Sequence, residues 1–236
     1  MRVKLSLAYN GTHFLGSQIQ SETKNTIFGN LETVLNQLGI KSKIVASGRT
    51  DKGVHASGQV CHFDLPSFWD DISKLKKVLN EMLPSSIYIK NIQEVDKTFH
   101  ARYDAKVRTY RYIIKVDESN PFEADFITFL KNVNFQEIEE NIKLFVGVHD
   151  FQAFMKTGSD VGSTTREIYK AFAYKQRGYI VLNFQANGFL RSQIRLMVGA
   201  LLTLDAQKIQ EKLSSFIEHK LKPAPANGLY LAKIKY

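Results

Sequence analysis

Apolar and polar residues alternate without a break through RVKLSLAY (2–9), placing Val3, Leu5, Leu7 and Tyr9 on one side as in a strand with one buried face. The period then lengthens. Ile27, Leu31, Val34, Leu35 and Leu38 recur at helical spacing, and Gly39 stands where a helix end favours glycine. KIVAS (43–47) and QVCHF (59–63) read as two strands joined by the glycine-rich segment GRTDKGVHASG. A second amphipathic helix carries Ile72, Leu75, Leu79 and Met82 and is closed by Pro84, and IYIKNIQEV (87–95) reads as a strand.

That order is β-α-β-β-α-β, the ferredoxin-like arrangement, and the second half repeats it. AKVRTYRYIIKV (105–116) predicts a long strand, followed by a helix around Ile138, Ile142 and Phe145. REIYKAFAYK and YIVLNFQ predict a hairpin turning at Arg177-Gly178. A helix from Leu190 to Leu204 follows, with Leu196, Met197, Leu201 and Leu202 as its core stripe. An extra helix through Ile209, Leu213 and Ile217 and the strand LYLAKIKY complete the chain. The expected fold class is α+β: two ferredoxin-like domains, 1–104 and 105–236, meeting near Phe99–Ala105. Their mostly antiparallel sheets are expected to join edge to edge, with helices on one face and the other face open to a ligand.

Composition narrows the function. Hydrophobic residues make up 44% and charged residues 23%, as in a globular protein. No apolar run approaches the roughly 20 residues of a membrane span. MRVKLSLAYNGTHF has a basic start but no apolar export core, so a cytoplasmic protein with no membrane partner is expected. Cys61 is the single cysteine and fits a reducing compartment. With His62 beside it and no spaced partner pair, it does not form a zinc site, and the histidines at 13, 55, 62, 100, 149 and 219 have no ligand spacing. No metal and no cofactor are expected. Thirty-two Lys plus Arg against twenty-three Asp plus Glu leave a net charge of +9, the balance of a polyanion binder. In FHARYDAKVRTYRY (99–112), arginines and aromatics mingle as they do where phosphates are gripped and bases stacked.

The most pointed local pattern is Gly48-Arg49-Thr50-Asp51-Lys52-Gly53-Val54-His55-Ala56. It is not a phosphate loop, because GxxxxGK[ST] needs Lys-Ser/Thr where Val54-His55 stands. An aspartate between glycines on a strand-to-strand loop suits either a turn or a catalytic carboxylate, and spacing alone does not choose.

The longer string GRTDKGVHASGQV resembles the signature of the tRNA pseudouridine synthase A family, GRTDxGVHAxGQV, whose fourth residue is the catalytic aspartate. The likeness runs on through AYNGTHFLGSQIQ, similar to YDGTxFxGWQxQ, and through FHARYDAKVRTYRYII, GVHDFQAF, TTREIY, ANGFLRSQIRLMVGAL and NGLYL, in order along nearly the whole chain. Two departures stand out: Ser17 where the family usually has Trp, and Arg191-Ser192 in a stretch that commonly contains His.

The resemblance implies an isomerase that converts uridine to pseudouridine at positions 38, 39 and 40 of the tRNA anticodon stem-loop. It implies a homodimer with tRNA in a basic cleft, and no cofactor. Asp51 would be the catalytic carboxylate and Arg195 the cation that keeps it charged. Tyr110 would stack on the flipped uracil and assist the C5 proton step. Arg49 would fill the space the base leaves or hold its phosphate. Lys106, Arg108, Arg111 and Arg191, with Arg102, are candidate phosphate contacts. Read without the resemblance, Tyr110 suits a strand aromatic, Arg195 a solvated helix charge and Arg49 a loop ion pair. The carboxylate would act as a nucleophile on the sugar carbon or as the base that starts glycal formation.

Rival chemistries fit less well. A glycosidase needs two carboxylates of distinct roles, and Asp51 has none beside it in its motif. A nucleoside hydrolase would add an acidic metal cluster. A non-catalytic RNA-binding sheet of the RRM type would show the RNP motif K/R-G-F/Y-G/A-F-V-x-F/Y, and none is present.

Overall fold

The computed structural model describes residues 1–158, 161–214 and 220–236. The protein is α+β with mostly antiparallel strand pairs, and it divides into two compact units, Met1–Lys106 with Leu231–Tyr236 and Val107–Tyr230.

In the first unit β1 (Arg2–Tyr9), α1 (Ile27–Gln37), β2 (Val45–Ala46), β3 (His55–Asp64), α2 (Ile72–Met82) and β4 (Ile87–Val95) follow the expected order. β1 lies between β3 and β4, antiparallel to both, with Val3 opposite Phe63 and Leu5 opposite Cys61. The alternation predicted for β1 holds, since Val3, Leu5 and Leu7 are fully buried and Tyr9 nearly so. Thr26 starts α1 by accepting the Gly29 N–H at 3.0 Å, and Asp71 starts α2 by accepting that of Lys74 at 2.8 Å. Each such cap contributes about 1 kcal/mol. Only Leu75 and Leu79 of the α2 stripe are deeply buried, and Met82 is exposed.

Two boundaries differ from the sequence pattern. β2 has two residues instead of five, and β3 begins at His55, inside the glycine-rich segment, so the loop that carries Asp51 is shorter than the pattern suggests. The face of β1 opposite the helices is partly covered. Ala101 N–H donates to His62 Nδ1 at 3.1 Å, and the Lys4 ammonium sits over the rings of Phe99 and Tyr236 at 5.6 and 5.3 Å.

The second unit contains β5 (Val107–Val116), β6 (Thr128–Leu130), α3 (Phe135–Asn141), β7 (Gly147–Asp150), β8 (Thr165–Gln176), β9 (Tyr179–Ala186), α4 (Gln193–Thr203) and α5 (Ala206–Ser214). β10 (Leu229–Lys235) starts in this unit, and from Leu231 it belongs to the first. The sheet order here is β5-β9-β8-β7, with β6 parallel to β5. The β8–β9 hairpin turns through Arg177 and Gly178 at φ 49 and 84, the pair of positive angles a two-residue turn of matching twist requires. The short strands β6 and β7 escape sequence reading because three or four residues show no period.

The predicted helix from Leu190 forms only from Gln193, since Ser192 takes φ 59 and breaks the helical path. Leu196, Met197 and Leu201 are buried as expected, whereas Leu202 of the same stripe is only half-buried. In α5 Ile209 is buried, but Lys212 rather than Leu213 turns furthest inward, its ammonium 5.7 Å from the Phe154 ring centre. Ile217 lies outside the described residues. Among the described residues no helix is long and apolar enough to cross a membrane.

Two features of the first unit can be tested directly. A Cβ at Gly58 would lie 2.3 Å from the Ala232 carbonyl oxygen, so β10 could not keep its approach to β3. Gly58→Ala should lower unfolding stability by about 1–3 kcal/mol, read from the urea midpoint. Cys61 is fully buried, and burial pushes its thiol pKa far up. Its native thiol should therefore resist an aromatic disulfide reagent and react stoichiometrically once urea unfolds the chain.

Candidate functional site

Asp51 sits half-buried in the turn between β2 and β3, and its carbonyl accepts the Val54 N–H at 3.1 Å. Gly53 takes φ 77 to complete that turn. The residue before Asp51 is held on every polar atom. Thr50 N–H donates to Ser17 Oγ at 2.8 Å, its carbonyl accepts the Ser17 N–H at 3.1 Å, and its hydroxyl pairs with that of Tyr9 at 2.8 Å. All three side chains are buried.

Gln59, fully buried on β3, extends the network. Its amide donates to the Gly48 carbonyl at 3.1 Å and to Tyr9 Oη at 3.4 Å, and its Oε1 accepts from Ser47 Oγ at 2.7 Å. Burial pushes the Tyr9 phenol up to about 12, with hydrogen bonds from its neighbours opposing part of that shift. Tyr9 therefore stays neutral through the physiological range.

The two motifs AYNGTHFLGS and GRTDKGVHA are thus halves of one object. Gly11 lies so close to Val54 that a Cβ there would fall 2.0 Å from the Val54 carbonyl oxygen, and Gly11 N–H donates to His55 Nδ1 at 3.0 Å. Gly16, at φ 104, would bring a Cβ to 3.0 Å of the Thr50 carbonyl oxygen. Close approach of two backbones explains the glycines better than flexibility does. Ser17 fills its fully buried position as a paired hydroxyl.

Arg49 is exposed and makes no ion pair among the described residues, which removes the loop-stabilising role its position suggested. Arg102 is exposed with its guanidinium 5.9 Å from the Tyr103 ring centre, and Tyr103 in turn stacks on His100 at 4.2 Å. Lys106 is exposed at the end of this unit.

In the second unit Tyr110 lies on β5 and is nearly buried, with the Phe189 ring edge-on to it at 5.3 Å. Arg108, on the same side of β5 by alternation, donates from Nη1 to the Asn187 carbonyl at 2.6 Å. Asn187 also exchanges hydrogen bonds with Glu167, its N–H reaching the Glu167 carbonyl and its Oδ1 accepting the Glu167 N–H, both at 3.2 Å. Arg195 Nε donates to the Ala224 carbonyl at 2.7 Å, while Ala224 N–H returns a bond to the Arg195 carbonyl at 2.8 Å. Arg166 donates to the carbonyls of Ser163 and Thr165, and burial lowers its pKa.

These contacts bring Arg108, Tyr110 and the 187–189 turn together. Arg111 does not join them, because it points to the opposite side of β5, into a shallow groove with Tyr174, Arg177 and Tyr179. Arg191 is exposed, and its carbonyl accepts the Lys156 N–H at 3.1 Å. Sequence reasoning missed Phe189 and Gln59, although both sit inside motifs it had marked. Among the described residues no cluster of three or more His, Cys, Asp or Glu is placed to hold a metal ion.

Comparison with known proteins gives the family. A family model described as tRNA pseudouridine synthase matches residues 6–104 and 142–236. A Campylobacter jejuni (strain RM1221) protein named tRNA pseudouridine synthase A is 39% identical over 241 residues, covering 100% of both chains. Proteins of the same name from Wolinella succinogenes and Geobacillus sp. (strain WCH70) are 37% and 39% identical. They cover 98% and 100% of this chain, and 92% and 98% of their own lengths. The chain belongs to the tRNA pseudouridine synthase family, isomerases that convert uridine in tRNA to pseudouridine.

Proposed function

We propose that Asp51 carries out this isomerisation, on uridines 38, 39 and 40 of the anticodon stem-loop. The observation that supports the assignment most is the rigidity of its surroundings: a half-buried carboxylate follows a residue hydrogen-bonded at all three polar groups. A catalytic group gains from being fixed in place, whereas a carboxylate that only completes a turn does not need such support.

The reaction breaks the N1–C1′ bond of uridine, rotates the uracil and rejoins it through C5, which loses its proton while N1 gains one. Asp51 starts the sequence, as nucleophile at C1′ or as base at C2′. Tyr110, its ring edge held by Phe189, stacks on the flipped base and takes part in the C5 proton step. Arg195, on α4, supplies a positive charge to the reaction. Arg49, exposed and without an ion-pair partner among the described residues, enters the space that the base vacates.

Arg102, Lys106, Arg108 and Arg191 hold phosphates, and Arg111, facing the other side of β5, is left out of this set. Reading three neighbouring positions calls for recognition of tRNA shape and backbone rather than base sequence. The enzyme acts as a homodimer in the cytoplasm and needs neither metal nor cofactor.

An unmodified tRNA transcript tritiated at C5 of uridine tests the reaction. The wild-type protein should release tritium from the anticodon arm without added metal, and Asp51→Asn should bind the tRNA with unchanged affinity and release none. A variant that releases tritium at the wild-type rate would remove Asp51 from catalysis. Affinity should also fall on the order of 10²-fold as salt rises from about 50 to about 200 mM, as expected when about four phosphates are neutralised. A flat salt dependence in a filter-binding titration would contradict phosphate-led recognition.

A further inference from the structure

We infer that Ser17 and Tyr9 are positioning residues for this reaction: they hold Thr50, and through it set where the Asp51 carboxylate lies. The inference rests on Asp51 being the catalytic carboxylate and adds the machinery that aims it.

The Thr50 carbonyl and the Asp51 N–H belong to one rigid peptide plane. The Ser17 N–H bond to that carbonyl, at 3.1 Å, therefore fixes the plane from which the Asp51 Cα–Cβ bond departs. The bond from Thr50 N–H to Ser17 Oγ, at 2.8 Å, fixes the plane before it. Tyr9 then holds the Thr50 side chain at 2.8 Å, so rotation about either plane would break a buried hydrogen bond.

The clamp is itself anchored. The carbonyls of Gly16 and Ser17 accept the N–H groups of Ile27 and Phe28, at 3.2 and 3.0 Å, in the first turn of α1. Asp51 is thereby tied to a helix terminus rather than to a free loop, and a helix is a stiffer reference than a loop. Only Ser17 Oγ depends on the side chain at position 17. A residue without a side-chain acceptor there would leave the Thr50 N–H without this bond.

Steady-state kinetics on the full-length protein test this, with every variant assayed well below its own thermal midpoint. Ser17→Ala should lower kcat on the order of tenfold while KM for tRNA stays within about twofold of wild type, since aim is lost and binding is not. Tyr9→Phe and Thr50→Val each remove one end of the same bond. They should lose a similar factor, and the double variant should lose no more than Tyr9→Phe alone, which also removes the longer bond from Gln59. Thr50→Ser keeps the hydroxyl and should turn over near the wild-type rate.

A wild-type kcat in Ser17→Ala and Tyr9→Phe, with only a lowered thermal midpoint, would overturn the inference and leave a purely structural network. So would a raised KM with unchanged kcat. Should Ser17→Ala fail to fold, Tyr9→Phe, which removes a single oxygen, decides the matter. Asp51→Asn runs alongside: if it is inactive the catalytic assignment stands whatever the clamp variants do, and if it is active that assignment falls first.

Discussion

A buried peptide group must find hydrogen-bond partners, and at Thr50 that requirement is met by a segment more than thirty residues away in sequence. Ser17 supplies both a donor and an acceptor to the Thr50 backbone, and Tyr9 engages its hydroxyl. Neither the 10–17 segment nor the 47–54 loop has regular secondary structure to satisfy its own backbone, so each completes the other. The glycines at 11 and 16 follow from this pairing. They let two backbones come within the distance that hydrogen bonds demand, and a Cβ at either would collide with or crowd the partner chain.

The same logic recurs in the second unit with different residues. The turn after β9 is irregular, and Asn187 ties it to β8 by a two-way bond with Glu167 and to β5 through Arg108. Phe189 is thereby placed against Tyr110. Arg195 stands in α4, where a reciprocal pair with Ala224 fixes its backbone and its Nε. In each unit the regular elements form the frame, and the candidate side chains lie on or beside short irregular segments whose polar groups are paired across the fold.

The charge of the chain acts at a different level. A net +9 steers the protein toward a polyanion without specifying a site, and the arginines at 49, 102 and 191 are exposed rather than packed in the core. The interior of the site loop has the opposite character: a neutral network of hydroxyls and one amide, in which burial keeps Tyr9 protonated far above physiological pH. Such a network holds geometry without adding a charge that would compete with the carboxylate beside it.

Much of this was legible in the chain itself. Period-two and period-3.6 patterning placed β1, both helices of the first unit, β4 and the β8–β9 hairpin, because a half-buried element must repeat its apolar residues at its own geometric period. The resemblance to a family signature made Asp51 the expected catalytic carboxylate, where spacing alone does not separate a catalytic residue from a turn. Hydrogen bonds between distant segments leave no period, so the sequence could not reveal that Ser17 and Tyr9 grip Thr50, that Gln59 spans the loop, or that Phe189 meets Tyr110. Nor could it show that β3 begins inside the glycine-rich segment, or that Arg111 and Tyr110 face opposite ways to different ends. Local patterning follows from which side of an element is buried, whereas the partners of irregular backbone are decided only when the chain has folded and every buried polar group has been matched.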